Sequence, residues 1–172
     1  EVFESKELLK LFDIGVPNIL TNYFTNKDRF TENELQSGLD LLTKKYFDSG
    51  YLDFQILDVG TDLSEDNQKI SISINVTEGI QYRLGSISFT GELGDFKPNE
   101  LKTLLNSKTG DVFNRQIVVD DIQKITDLYA DQGYAFVNIT PITTDFVDTV
   151  EVTIDISLNK KVYVNRIVIS GN

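Results

Sequence analysis

Two stretches of the chain alternate apolar and polar residues. Ile70, Ile72, Ile74 and Val76 alternate with Ser71, Ser73 and Asn75, and Val150, Val152, Ile154 and Ile156 alternate with Glu151, Thr153 and Asp155. Successive side chains of a strand point to opposite faces, so each run predicts a strand with one buried and one wet face. Elsewhere the spacing changes to three and four. Leu39, Leu42 and Tyr46 mark one face of an amphipathic helix, and Ile122, Ile125 and Tyr129 mark the same face of a second helix 83 positions later.

That echo is long and needs no gap. Phe30–Tyr51, "FTENELQSGLDLLTKKYFDSGY", lies over Phe113–Tyr134, "FNRQIVVDDIQKITDLYADQGY". Both copies end in Tyr, any, Asp, any, Gly, Tyr. Gly50 and Gly133 stand where a left-handed residue would stop a helix, and Lys44 and Lys45 suit its negative end. The motif therefore predicts a helix exit, with Tyr51 or Tyr134 opening the next strand. A short alternation follows, Leu52, Phe54, Ile56 or Ala135, Val137, Ile139, which predicts a half-buried strand ahead of a polar turn, "TDLSEDNQ" or "PITTDFVD". Before each long helix lies a shorter helical segment, with start signals at Ser5 and at Pro98–Asn99. A third echo matches Ile87 and Phe89 of "YRLGSISFTG" to Ile167 and Ile169 of "YVNRIVISGN". The main departure from the repeat is the insertion "VPNILTNYFTNKDR", Val16 to Arg29.

The repeating unit is thus strand, helix, helix, strand, strand. The fold class expected is α+β, with tandem β-α-α-β-β units, each a three-stranded sheet covered on one face by two helices. Residues 1–79 form a unit lacking its first strand, 80–161 a complete unit, and 162–172 the opening strand of a following one. No Ser- or Pro-rich stretch separates the units, which predicts a short, stiff junction at Glu78–Leu84.

Composition narrows the chemistry. The chain opens on Glu1, as a mature or excised segment would. It has no Cys, hence no disulfide or thiolate, and no His, hence neither the usual general base nor the commonest zinc ligand. A net charge of −11 argues against nucleic-acid binding. No apolar run approaches the roughly 20 residues of a membrane-spanning helix. Asp120–Asp121 and the group Asp62, Glu65, Asp66 are the carboxylate clusters that acid–base or calcium chemistry could use. The second lacks the Gly and terminal Glu of an EF-hand loop and reads as a solvated turn. These readings point to no cofactor, no metal and no enzyme.

The passage Val76–Gly91, "VTEGIQYRLGSISFTG", together with the element order and the Gly-Tyr helix exits, resembles POTRA domains, the repeats of the periplasmic arm ahead of outer-membrane β-barrels. The resemblance covers nearly the whole chain. The long loop after Gly15 is similar to that of the third of five such domains, which would make Tyr82–Lys161 the fourth. It implies a non-catalytic module on the periplasmic side of a bacterial outer membrane, touching the membrane only through a barrel absent from this chain. The implied partners are accessory outer-membrane lipoproteins and unfolded outer-membrane proteins. It also implies that the strand after the helices is a sheet edge: Asp53, Phe54, Gln55, Ile56 and Leu57 in one unit, and Ala135, Phe136, Val137, Asn138 and Ile139 in the other. An open edge has unpaired N–H and C=O groups that can add an extended peptide, with little demand on its sequence. Phe136 is expected to face outward with Asn138. Tyr23 and Phe24, near Lys27 and Arg29, are a further surface candidate. The alternatives are the POTRA arm of a related outer-membrane transporter, or a passive repeat spacer or adhesin segment. Finally, Val162–Ser170 is expected to add to another molecule's open sheet, giving self-association by strand exchange.

Overall fold

The structure, a computed structural model, describes residues 2–12, 31–65, 70–163 and 166–171. The chain divides into two compact units, Glu1–Gln81 and Tyr82–Asn172. The first holds α1 (Ser5–Leu9), α2 (Glu32–Asp48), β1 (Gln55–Leu63) and β2 (Ile70–Thr77). The second holds β3 (Arg83–Gly91), α3 (Pro98–Leu104), α4 (Arg115–Asp131), β4 (Asn138–Phe146) and β5 (Thr149–Ser157).

The long helices α2 and α4 are built alike. Each has 17 residues. Thr31 and Asn114 cap their N-termini by accepting the N–H of Glu34 at 3.2 Å and of Ile117 at 3.0 Å. Leu35, Gly38, Leu42 and Tyr46 are buried on α2, and Val118, Asp121, Ile125 and Tyr129 on α4. The exit motif accounts for its own residues. Gly50 and Gly133 take φ of 87° and 92°. Their N–H groups donate to Phe47 and Ala130, while those of Tyr51 and Tyr134 donate to the carbonyls of Tyr46 and Tyr129. This is the Schellman arrangement, and the two tyrosines of each motif supply its hydrophobic contact, with ring centroids 5.9 and 6.2 Å apart. The aromatic stack grows from there: Phe3 meets Tyr46 at 5.0 Å and Phe96 meets Tyr129 at 5.3 Å, both edge-on.

In the second unit the strand order is β3-β5-β4, with β3 parallel to β5 and β4 antiparallel to it. Leu84 pairs with Val150, Ile87 with Val152 and Phe89 with Ile154. The central strand buries its whole apolar row: Val150, Val152, Ile154 and Ile156 are each at most 2% exposed. Its other face is tied by Ser88–Thr153 at 3.0 Å and Thr90–Asp155 at 2.6 Å. In the first unit the sheet has two described strands, β1 antiparallel to β2, with a bulge between Ile56 and Asp58. The equivalent row there is poorly covered. Ile72, Ile74 and Val76 are half-buried and Ile70 is 45% exposed.

Two sequence expectations need correction. The strands after the helices start later and run further: Leu52–Asp53 and Ala135–Phe136 lie in turns, while Thr61–Leu63 of "TDLSEDNQ" and Pro141–Phe146 of "PITTDFVD" are strand. β1 runs to Leu63, and β4 crosses Pro141–Phe146 to a two-residue turn at Val147–Asp148. The outer half of β4 buries almost nothing, so it shows no apolar alternation; its ladder with β5 makes it a strand.

Candidate functional site

Each unit presents open sheet edges. In the second, β4 forms one flank and β3 the other, with the start of β3 paired to Gly110–Phe113. In the first, β1 and β2 are each bare on one side among the described residues. The two flanks of the first unit differ. Along β1 the exposed apolar side chains are Leu57, the extra residue of the bulge, and Leu63 at the far end. Beside β2 there is a groove of about 660 Å³, floored by Ile72, Ile74 and Val76 and walled by Leu8, Phe12 and Tyr46. Tyr46 donates its O–H to Glu78 at 2.7 Å, and Val2 donates its N–H to the same oxygen at 3.0 Å. The Val2 N–H first, and then the Tyr46 hydroxyl, hold the Glu78 carboxyl below its ordinary range.

The carboxylate pair Asp120–Asp121 proves structural. Asp121, 2% exposed, accepts the N–H groups of Asn106 and Ser107, both at 2.8 Å, and lies 3.2 Å from the Lys124 ammonium. Burial pushes its carboxyl up, but those bonds outweigh burial and hold it below the ordinary value. Asp120 accepts from Gln116 on the helix surface. Among the described residues no group of three His, Cys, Asp or Glu could hold a metal, and no helix is long and apolar enough to cross a membrane.

A family model described as POTRA, surface antigen variable number repeat, matches residues 1–79 and again residues 82–158. The chain belongs to the POTRA family. It is 30% identical over 174 residues to the outer membrane protein assembly factor BamA of Neisseria meningitidis serogroup B, covering all of this chain and 22% of that protein. It is 32% identical to BamA of Nitratidesulfovibrio vulgaris, over 98% of this chain and 21% of that one. The chain thus spans about a fifth of the length of these relatives. The crystal structure of Haemophilus influenzae BamA POTRA3-5 superposes with a TM-score of 0.71 at 22% identity, covering 94% of this chain and 63% of that one. The α+β fold and the resemblance to POTRA domains expected from the sequence both stand.

The POTRA units distribute the candidate residues unevenly. Asp53 lies in the turn before β1, and Phe54 is core, stacked on Tyr46 at 4.0 Å, so its side chain is not offered to a partner. Gln55 is exposed and Ile56 half-buried opposite Val76, which leaves Leu57 as the apolar side chain presented there. In the second unit Ala135 and Phe136 are in the turn, Val137 and Ile139 are half-buried, and Asn138 starts β4 exposed. Phe136 is 68% exposed, and its carbonyl accepts from the Asn159 amide. Tyr23 and Phe24 lie outside the described residues. The sequence reading missed Ile142, Phe146 and Val147, all exposed on or beside β4. Reading that segment as a turn hid them, although its β-branched Ile142, Thr143 and Thr144 were a usable strand signal. Pro141 also stands in β4. A proline is tolerated there because an outer strand needs no ladder donor on its open side, and the missing N–H blunts that edge.

Proposed function

We propose that this chain is a periplasmic POTRA module of an outer-membrane protein assembly factor, and that it docks extended segments of unfolded outer-membrane proteins or of accessory lipoproteins by adding them to a sheet edge. The observation that carries the reading is the outer flank of β1, bare among the described residues, nine residues without a proline and with a bulge that exposes Leu57. Backbone pairing accepts many sequences, which suits a receptor for varied client strands. β4 is the weaker edge, because Pro141 interrupts its donors. The family match and the BamA relatives support the setting.

The reading is tested by titrating the isotope-labelled chain with peptides copied from outer-membrane β-strands while following backbone amides. Shifts should concentrate on Gln55–Leu63 and leave β5 unmoved. A parallel capture of purified periplasmic lipoproteins should retain at least one of them. If neither peptide nor lipoprotein binds, the module is a passive spacer.

A further inference from the structure

The sheet of the second unit buries one face and leaves the other bare among the described residues. Val150, Val152, Ile154 and Ile156 point to the buried side, so Glu151, Thr153 and Asp155 stand on the bare one. Cross-strand partners share a face. Ile142 pairs with Thr153, Thr144 with Glu151 and Phe146 with Thr149, which puts Ile142 and Phe146 on the bare side. These two side chains are 51% and 72% exposed and stand about 14 Å apart along β4. Beyond Phe146 the turn adds Val147, also exposed.

The hydroxyls of this face already have partners. Ser88 and Thr153 bond each other at 3.0 Å, Thr90 donates to Asp155 at 2.6 Å, and Thr149 donates to the Phe146 carbonyl at 2.9 Å. The backbone of β5 is engaged in ladders on both sides. Covering the face therefore strands few polar groups, and the cover has no backbone to pair with. A helix suits such a surface, because short Thr side chains between larger apolar ones let it lie close to the sheet.

Charge selects the kind of helix. Residues 138–157 contain Asp145, Asp148, Glu151 and Asp155 and no Lys or Arg. Asp145, Asp148 and Glu151 are exposed and have no ion-pair partner among the described residues. β3 brings one cation, Arg83, and its guanidinium donates to the Gly110 carbonyl at 2.8 Å. Glu151 lies one strand over, level with Thr144 and so between Ile142 and Phe146, and Asp148 follows Val147. Apolar and acidic groups thus alternate along the face. This pattern repels anionic lipid headgroups and complements a protein segment that mixes apolar residues with cations.

We infer that the bare face of the β4–β5 hairpin docks a cationic amphipathic helix of another protein, with its apolar stripe over Ile142, Phe146 and Val147 and its Lys or Arg side chains beside Glu151 and Asp148. The contact uses a sheet face, not an edge, and is independent of strand addition at β1.

The probe is a synthetic helix with Leu on one face and Lys on the other, roughly 18 residues long so that it is helical alone. Titrated into the isotope-labelled 172-residue chain, it should shift amides centred on Thr140–Thr153 and leave Gln55–Leu63 unmoved. Binding should weaken as salt rises, and the same peptide with Glu in place of Lys should not bind. Phe146→Ser and Ile142→Ser, each at an exposed position, should weaken binding by about tenfold or more with the circular dichroism unchanged. Val147→Gly should also bind more weakly while melting no lower, which separates lost contact from lost fold. Absence of binding, shifts spread over the whole acidic surface or centred on β1, or an affinity untouched by Phe146→Ser and Ile142→Ser overturns the inference. So does attachment of the chain to phosphatidylcholine or phosphatidylglycerol vesicles that Phe146→Ser abolishes, since the hairpin would then be a lipid anchor.

Discussion

At one matched position in the repeat, the two long helices do different work. Asp121 on α4 ties down the loop at Asn106–Ser107, while Gly38, its counterpart on α2, leaves room for a ring: a Cβ there would come 2.2 Å from Phe12. Gly38→Ala should therefore destabilise the first unit by about 1–3 kcal/mol, despite alanine's better helix propensity. A rise in melting temperature would show that Phe12 moves aside cheaply. Asp121→Asn should cost the second unit about 1–3 kcal/mol near neutral pH, because the loop N–H groups lose a charged acceptor. The folded value of Asp121 is depressed, so its contribution is whole above the unfolded value of about 4 and fades as pH falls through the lower folded value. Melting curves of wild type and Asp121→Asn should accordingly converge below about pH 4. Phe136→Ala, in contrast, should change stability by no more than about 0.5 kcal/mol, since the ring stands in solvent. A loss above about 2 kcal/mol would mean that the ring packs in a core.

Among the elements, helices were more legible than strands. A helix of 17 residues repeats its apolar face several times and carries caps, so Leu42, Tyr46, Ile125, Tyr129 and the Gly-Tyr exits predicted both long helices. The central strand was equally plain, because every second residue of Val150–Ile156 is buried. Outer strands lack that signal: β1 and β4 are held by backbone ladders and show solvent on most positions, so their far halves read as turns. The candidate site inherits this limit. Of the candidates Gln55, Ile56 and Leu57 fall on β1, while Ile142, Phe146 and the consequence of Pro141 were not read. The β4–β5 turn is also unusual in holding Val147 at φ 58°. A β-branched residue there is strained, and glycine is the residue that two-residue hairpin turns favour. Val147→Gly should raise the stability of the second unit by about 1 kcal/mol in denaturant unfolding; no gain would show that the strain is absent.

At the scale of the molecule, the two units share a plan but not a degree of burial. The row Val150–Ile156 is sealed between β3 and β4, whereas Ile70–Val76 has a strand on only one side among the described residues. Amide hydrogen exchange should reveal this as a gradient, with β5 protected most and β2 opening at lower free energy. Equal protection of the two strands in a dilute sample would mean that β2 is covered after all.

The matched positions Gly38 and Asp121 also bear on how freely such repeats could recombine. Helices α2 and α4 have the same length, the same exit and superposable buried positions, so by inspection they look like interchangeable parts. Transplanting α4 into the first unit would set the Asp121 carboxylate against the Phe12 ring, far from the loop amides that satisfy it. Transplanting α2 into the second would leave the Asn106 and Ser107 amides facing a hole. Each helix is keyed to the short segment that precedes it, and the heritable module is therefore the helix pair, not the helix.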